Sequence, residues 1–234
     1  MDRHDLIYIH PQGALHFLDT ALPESVQNKV KEMIAKHIPF TLCRQEYADD
    51  LSLEQQQQNL KVATSCMHNG RKYRVALQLA SLPLWIHKPL PLAKMVSHFD
   101  PAVQVALTLF IEHLNELQCD VCVYGSFSNE YFTQAQYTHA QSDLDLLLIP
   151  HAPEKLEQVL MKIQGLQAQT PFKIDGELQL PNAKNVAFNE LIYALKHQQQ
   201  QIVVKGFRQI SLENITELLG WNTHEFNRCI AVLH

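Results

Sequence analysis

The stretch that most constrains this chain runs from Val121 to Pro150, VCVYGSFSNEYFTQAQYTHAQSDLDLLLIP. It opens on an apolar run, Val121-Cys122-Val123-Tyr124, that reads as a buried strand and breaks at Gly125-Ser126. A polar segment follows. A second strand-like run then carries two acids, Ser142-Asp143-Leu144-Asp145-Leu146-Leu147-Leu148. Alternate side chains of an extended chain share a face, so Asp143 and Asp145 point one way while Leu144 and Leu146 point into a sheet core. Two carboxylates on one face with no base between them repel, and a cation between them relieves the repulsion. A hard divalent ion with oxygen ligands, Mg²⁺ above all, is the usual solution, and substrate phosphates complete its shell. Gly125 lets the backbone approach a ligand closely. Ser126 offers a hydroxyl and a backbone N–H to a phosphate.

Two-metal phosphoryl-type transfer asks for a third carboxylate from a neighbouring strand. Asp175 and Glu177, in Lys173-Ile174-Asp175-Gly176-Glu177-Leu178, alternate onto one face of a regular strand. Asp175 is the favoured third acid. A bulge at Gly176 would change the facing and make Glu177 the ligand instead. Lys205 ends the apolar run Val203-Val204 and precedes Gly206, a setting that suits a triphosphate contact.

The remaining chain organises around this block. His4–Ile9 reads as a short strand and Pro11-Gln12-Gly13 as a turn. A helix is expected from Pro23 to about Lys36, with Val26, Val30, Met33 and Ile34 inward. Pro39 to Glu46 reads as extended. Ala48-Asp49-Asp50 and the Gln55–Gln58 run read as an exposed loop. Leu60–Met67 and Tyr73–Leu79 flank Asn69-Gly70, the strongest short hairpin signal. That hairpin carries Arg71, Lys72 and Arg74; strand alternation puts Lys72 and Arg74 on one face. Ser81–Leu92, with three prolines, reads as a loop or linker. A boundary near residue 100 divides an N-terminal module, 1–99, from a C-terminal one, 100–234. Asp100-Pro101 starts a helix to about Leu117, and Pro153–Gln167 and Phe188–Lys196 are further helices. Phe172–Leu180 and Ile202–Val204 are strands. Ser211–Leu219 and Thr223–Leu233 are read as terminal helices.

Composition narrows the function. The 234 residues are 46% hydrophobic and 18% charged, enough for a sizeable core in one large or two small domains. A net charge of -5 supplies no global basic field, which argues against a nucleic-acid partner. The charged start, Met1-Asp2-Arg3-His4-Asp5, with only a short apolar run after it, does not read as a secretory signal. No apolar run approaches a membrane span. Five sparse cysteines favour a reducing cytoplasm over a disulfide scaffold. Cys119 and Cys122 have CxxC spacing, but in a strand their sulfurs face opposite sides, and they are read as buried strand cysteines.

The order strand, Gly125-Ser126, Ser142-Asp143-Leu144-Asp145 and apolar run resembles the signature of the nucleotidyltransferase superfamily, the DNA polymerase β-like fold. The likeness extends further. Arg3-His4-Asp5-Leu6, Tyr124-Gly125-Ser126, Ser142 to Leu147, Asp175-Gly176-Glu177-Leu178, Val186 to Leu191, and Val203-Val204-Lys205 before Ile210-Ser211-Leu212 follow one another in one order. Together they resemble the malonate decarboxylase holo-acyl-carrier-protein synthase family, also called phosphoribosyl-dephospho-CoA transferases. The chain departs from that family after Gly-Ser. It has Phe127-Ser128-Asn129-Glu130 and Thr133-Gln134 where an aromatic-plus-glutamine and a Thr-Gly pair are common.

The resemblance implies an α+β protein: a nucleotidyltransferase-fold catalytic domain with a mixed sheet and flanking helices, preceded by a smaller α+β module. It implies transfer of the prosthetic group from 2′-(5″-triphosphoribosyl)-3′-dephospho-CoA to a serine of the acyl-carrier subunit of malonate decarboxylase, with release of pyrophosphate. Asp143, Asp145 and Asp175 would hold Mg²⁺, and Gly125, Ser126 and Lys205 would contact the donor. A basic patch at Lys72 and Arg74 is expected to steer an acidic carrier or the triphosphate. The alternatives are AMP transfer from ATP to a protein or small molecule, and a binding module without turnover.

Overall fold

The structure is a computed structural model and describes residues 1–45 and 59–233. The expected polar loop at 48–58 lies outside the described residues. The chain forms two compact units. The first comprises Met1–Pro89, Ser126–Thr138 and Phe207–Gln209; the second comprises Leu90–Gly125, His139–Gly206 and Ile210–His234. This partition departs from a division at 99/100. Residues 90–99 go with the second unit because the short strand Leu90–Pro91 pairs with Cys119–Val123, where Leu90 opposes Val123.

In the first unit, β1 (Leu6–Tyr8), β2 (Leu15–Phe17), β3 (Phe40–Leu42), β4 (Lys61–His68), β5 (Arg71–Leu79) and β6 (Trp85–His87) form an antiparallel sheet in the order β2-β5-β4-β3-β1-β6. The β4–β5 hairpin closes through Asn69 and Gly70, at φ 50° and 72°, the backbone of a two-residue primed turn. Helix α1 (Glu24–Ala35) buries Val26, Val30, Met33 and Ile34, the four positions that its sequence spacing places inward. They join Ile7, Phe40, Leu42, Val62, Val75 and Leu77 in one core. The Ser81–Leu92 segment, expected as a loop, contributes β6 to this sheet.

In the second unit, β7 (Leu90–Pro91), β8 (Cys119–Val123), β9 (Leu144–Pro150), β10 (Ile174–Leu180), β11 (Lys184–Ala187), β12 (Gln201–Lys205) and β13 (Ile210–Asn214) form a mixed sheet in the order β13-β12-β11-β10-β9-β8-β7. Only the central β9–β10 pair is parallel among the described ladders. Its members are joined through a helix, as a parallel crossover requires. The helices are α2 (Pro101–Glu116), α4 (Leu156–Gln169), α5 (Phe188–Lys196), the short α6 (Ile215–Leu219) and α7 (Thr223–Leu233). α2 packs on α4 and on β8, and α5 packs on α7 and on β10. Leu144, Leu146, Leu148, Ile174 and Leu178 are fully buried, so this side of the sheet is the core side. Asp145 and Asp175 alternate onto the other side, half-buried.

The polar segment after Gly125, unassigned by sequence pattern, is helical: α3 runs over Gly125–Thr133. Its only buried residue is Ser128, so it lacks the apolar period that announces a helix. Two local expectations are corrected. Ser211 does not begin a helix. Ile210–Asn214 pairs with β12 as an antiparallel hairpin, Val203 opposite Leu212, and the helix starts at Ile215, capped by the Asn214 side chain. Asp143 stands one residue before β9 rather than within it. Among the described residues no helix is long and apolar enough to cross a membrane.

Candidate active site

In the second unit the site residues sit at the starts of the two parallel strands, β9 and β10. Asp175 of β10 is the register partner of Asp145 of β9, and the pairing continues without interruption from Ile174↔Leu144 to Leu178↔Leu148. There is therefore no bulge at Gly176. Asp175 and Glu177 alternate onto the face that Asp145 shares. Gly176 has φ +143°, and a Cβ there would run into the backbone of Leu146. Glycine is what lets β10 lie this close to β9 and keeps the two acids in register.

Gly125 meets Asp145 directly. The backbone N–H of Tyr124 donates to the Asp145 carbonyl at 3.1 Å, which extends the β8–β9 pairing by one bond. The chain then turns at Gly125, φ +70°, where a Cβ would collide with Asp145 Oδ2. The carboxylate thus packs against bare backbone, a contact open to glycine alone.

Asp175 is held at both oxygens. Its Oδ1 accepts from its neighbour Gly176 N–H at 2.8 Å and from Asn189 Nδ2 at 3.3 Å; its Oδ2 accepts from Lys173 Nζ at 2.5 Å. Burial pushes this carboxyl up, but those hydrogen bonds and the lysine's charge outweigh it, so Asp175 titrates below the ordinary range. Lys173 titrates above its ordinary range, chiefly through the bond to Asp175. The same ammonium lies 3.4 Å from Asp143 Oδ2. Among the described residues no group of three or more His, Cys, Asp or Glu is gathered to hold a metal ion. Two of the three expected carboxylates converge instead on an ammonium.

Glu177 and Lys205 find each other. Glu177 is 4% exposed; it accepts from Lys205 Nζ at 3.0 Å and from Asn185 Nδ2 at 3.2 Å. Asn185 is the register partner of Lys205. Lys205, read from the sequence as a phosphate contact, here neutralises a buried acid.

Ser126 belongs to the first unit, where its hydroxyl accepts from Lys72 Nζ at 2.7 Å. The same ammonium lies 5.9 Å from the centre of the Tyr137 ring, whose hydroxyl donates to the Ser65 carbonyl at 2.9 Å. Ser65 opposes Arg74 across the hairpin, which puts Lys72 and Arg74 on the side facing Tyr137 and α3. Lys173, Asn189 and Asn185 were not singled out from sequence. Lys173 is legible in hindsight, since it stands two residues before Asp175 on the same strand face; the two asparagines are brought in by tertiary folding.

The fold is α+β, and its acids line up on a parallel strand pair. A family described as the Phosphoribosyl-dephospho-CoA transferase MdcG C-terminal domain matches residues 91–214, and the chain belongs to it. Curated relatives named phosphoribosyl-dephospho-CoA transferase are similar along most of their length. That of Xanthomonas axonopodis pv. citri (strain 306) is 29% identical over 206 residues, covering 87% of this chain and 90% of the relative. That of Xanthomonas campestris pv. campestris (strain 8004) is 27% identical over 205 residues, covering 87% and 89%. No solved structure gives a significant match.

Proposed function

We propose that this enzyme transfers the phosphoribosyl-dephospho-CoA group of 2′-(5″-triphosphoribosyl)-3′-dephospho-CoA to a serine of the acyl carrier protein of malonate decarboxylase, in the cytoplasm. The catalytic unit is read as a nucleotidyltransferase fold, with the N-terminal residues as an accessory α+β module. The observation that carries the reading is the register pair Asp145–Asp175 on parallel strands, with the Gly125 backbone seated against the Asp145 carboxylate. Family membership supports the donor.

The donor chemistry suits a hard divalent cation: the side chains are carboxylates, and a cationic group sits between two of them. Asp143, Asp145 and Asp175 would hold Mg²⁺, which when bound neutralises the triphosphate and polarises the phosphorus under attack. The serine oxygen attacks the phosphorus next to the ribose, the bond to pyrophosphate breaks, and a phosphodiester forms. One carboxylate of the set takes the serine proton. Gly125 and Ser126 orient the phosphates, and positioning with charge stabilisation supplies most of the rate. Lys205 would reach a donor phosphate only by leaving Glu177.

The test combines purified protein, Mg²⁺, the triphosphoribosyl donor and apo carrier protein. The carrier mass should rise by the prosthetic group as pyrophosphate appears. Asp143→Asn and Asp145→Asn should keep a native circular dichroism spectrum and lose at least about 100-fold in turnover, since disturbing even an outer partner of a metal ligand costs about 10- to 100-fold. ATP consumption with AMP transfer while the donor stays inert would reject the substrate. Near-normal turnover by either variant would reject the ligand assignment.

A further inference from the structure

Four residues at the start of the parallel pair occupy a two-by-two grid. Asp143 and Asp145 lead into β9; Lys173 and Asp175 lead into β10. The Leu144 N–H donates to the Lys173 carbonyl at 2.9 Å, so Lys173 lies beside Asp143 as Asp175 lies beside Asp145. The Lys173 ammonium reaches both Asp143 and Asp175, and strand register sets Asp145 beside Asp175. Three corners are acidic and one is basic, which leaves the grid net negative. The basic corner is closed on two of the acids, at 2.5 Å to Asp175 and 3.4 Å to Asp143.

We infer that Lys173 is an internal competitor for the divalent cation: its ammonium holds Asp143 and Asp175 in the metal-free enzyme and must release them for metal to bind. The inference rests on the reading of Asp143, Asp145 and Asp175 as cation ligands. An ammonium and a divalent ion cannot share the same carboxylate oxygens without close cation–cation repulsion. The lysine is free to move aside, because its side chain is 56% exposed on a four-carbon stem. Exposed pairs of this kind are individually weak, so the competition lowers metal affinity without abolishing it. An anionic donor rewards the exchange twice. Its phosphates add ligands to the ion, and they offer the released ammonium a new partner. Metal and triphosphate therefore bind with positive coupling, and free metal alone binds loosely.

The test is calorimetric titration of the full chain with Mn²⁺ alone. Lys173→Met, and Lys173→Gln as a second uncharged variant, should bind Mn²⁺ about three- to tenfold more tightly than the parent, the range that two weak exposed pairs account for. Lys173→Arg keeps the cation and should stay near the parent affinity. The Mn²⁺-induced rise in melting temperature should be larger in the uncharged variants. If they bind Mn²⁺ equally or more weakly while Asp145→Asn removes the binding, Lys173 is not a competitor and the ligand assignment stands. If the parent shows no Mn²⁺ binding that Asp145→Asn removes, the ligand assignment falls and this inference falls with it.

Discussion

At Gly125 the backbone occupies the space that any other residue needs for its Cβ, and its φ of +70° is one that side chains resist. Gly125→Ala should cost about 1–3 kcal/mol, the range for a strained backbone position, and push Asp145 off its seat. Urea denaturation checks the first effect. A fall of at least about tenfold in kcat/KM, as expected for displaced catalytic groups, checks the second. Parent-like activity would mean that the contact with Asp145 does not matter. The cysteines illustrate the opposite situation, residues with reactive chemistry but no use for it. Cys119 and Cys229 are buried, and burial pushes both thiols up to about 12. At pH 8 about one in ten thousand is then thiolate. Iodoacetamide should leave both unmodified in the native protein and label both in guanidinium. Rapid native labelling of Cys119 would revive a role for the Cys119–Cys122 spacing.

Elements were legible where the signal is local. The β4–β5 hairpin is written in Asn69-Gly70 and in the alternating runs on either side of it, and helix α1 in its apolar spacing. The hairpin also carries charge to a defined place, since Lys72 reaches the Ser126 hydroxyl from 54 residues away in sequence. If Ser126 contacts donor phosphates, as proposed, Lys72 and Arg74 contribute to binding that charge. The double reversal Lys72→Glu/Arg74→Glu should raise KM about three- to tenfold for the charged substrate, affect kcat less, and flatten the salt dependence of kcat/KM. No change in any of these would leave the pair without a part in substrate binding. The β12–β13 hairpin escaped sequence reading because Ile210–Asn214 is short, and Asn214, Ile215 and Glu217 are also a helix start. Pairing with β12 claimed the first half and the Asn214 cap fixed the start of the second.

For the molecule as a whole, the core does not depend on the candidate cation site. Leu144, Leu146 and Leu148 are buried on the side away from the acids, and Lys173 partly offsets their repulsion. Chelation with EDTA should therefore remove transfer, by at least about 100-fold, while the circular dichroism spectrum and melting temperature change little; Mg²⁺ should restore it. Turnover that persists in EDTA would rule the metal out.

The sequence by itself singled out Asp143, Asp145 and Asp175 as candidates and the break at Gly125-Ser126, because alternation and turn chemistry depend on neighbours one to four residues apart; the α+β class came with the family resemblance. It favoured Asp175 over Glu177 as the third acid, without showing what surrounds either carboxylate. Those surroundings are tertiary. Register across β9 and β10 set Asp175 beside Asp145, while β11 and β12 brought Asn185 and Lys205 onto Glu177. Folding also turned Lys173 from an ordinary lysine into the partner of two acids, one of them 30 residues away. Register between strands joined by a long crossover, and the partners of a salt bridge, are decided by contacts between distant segments.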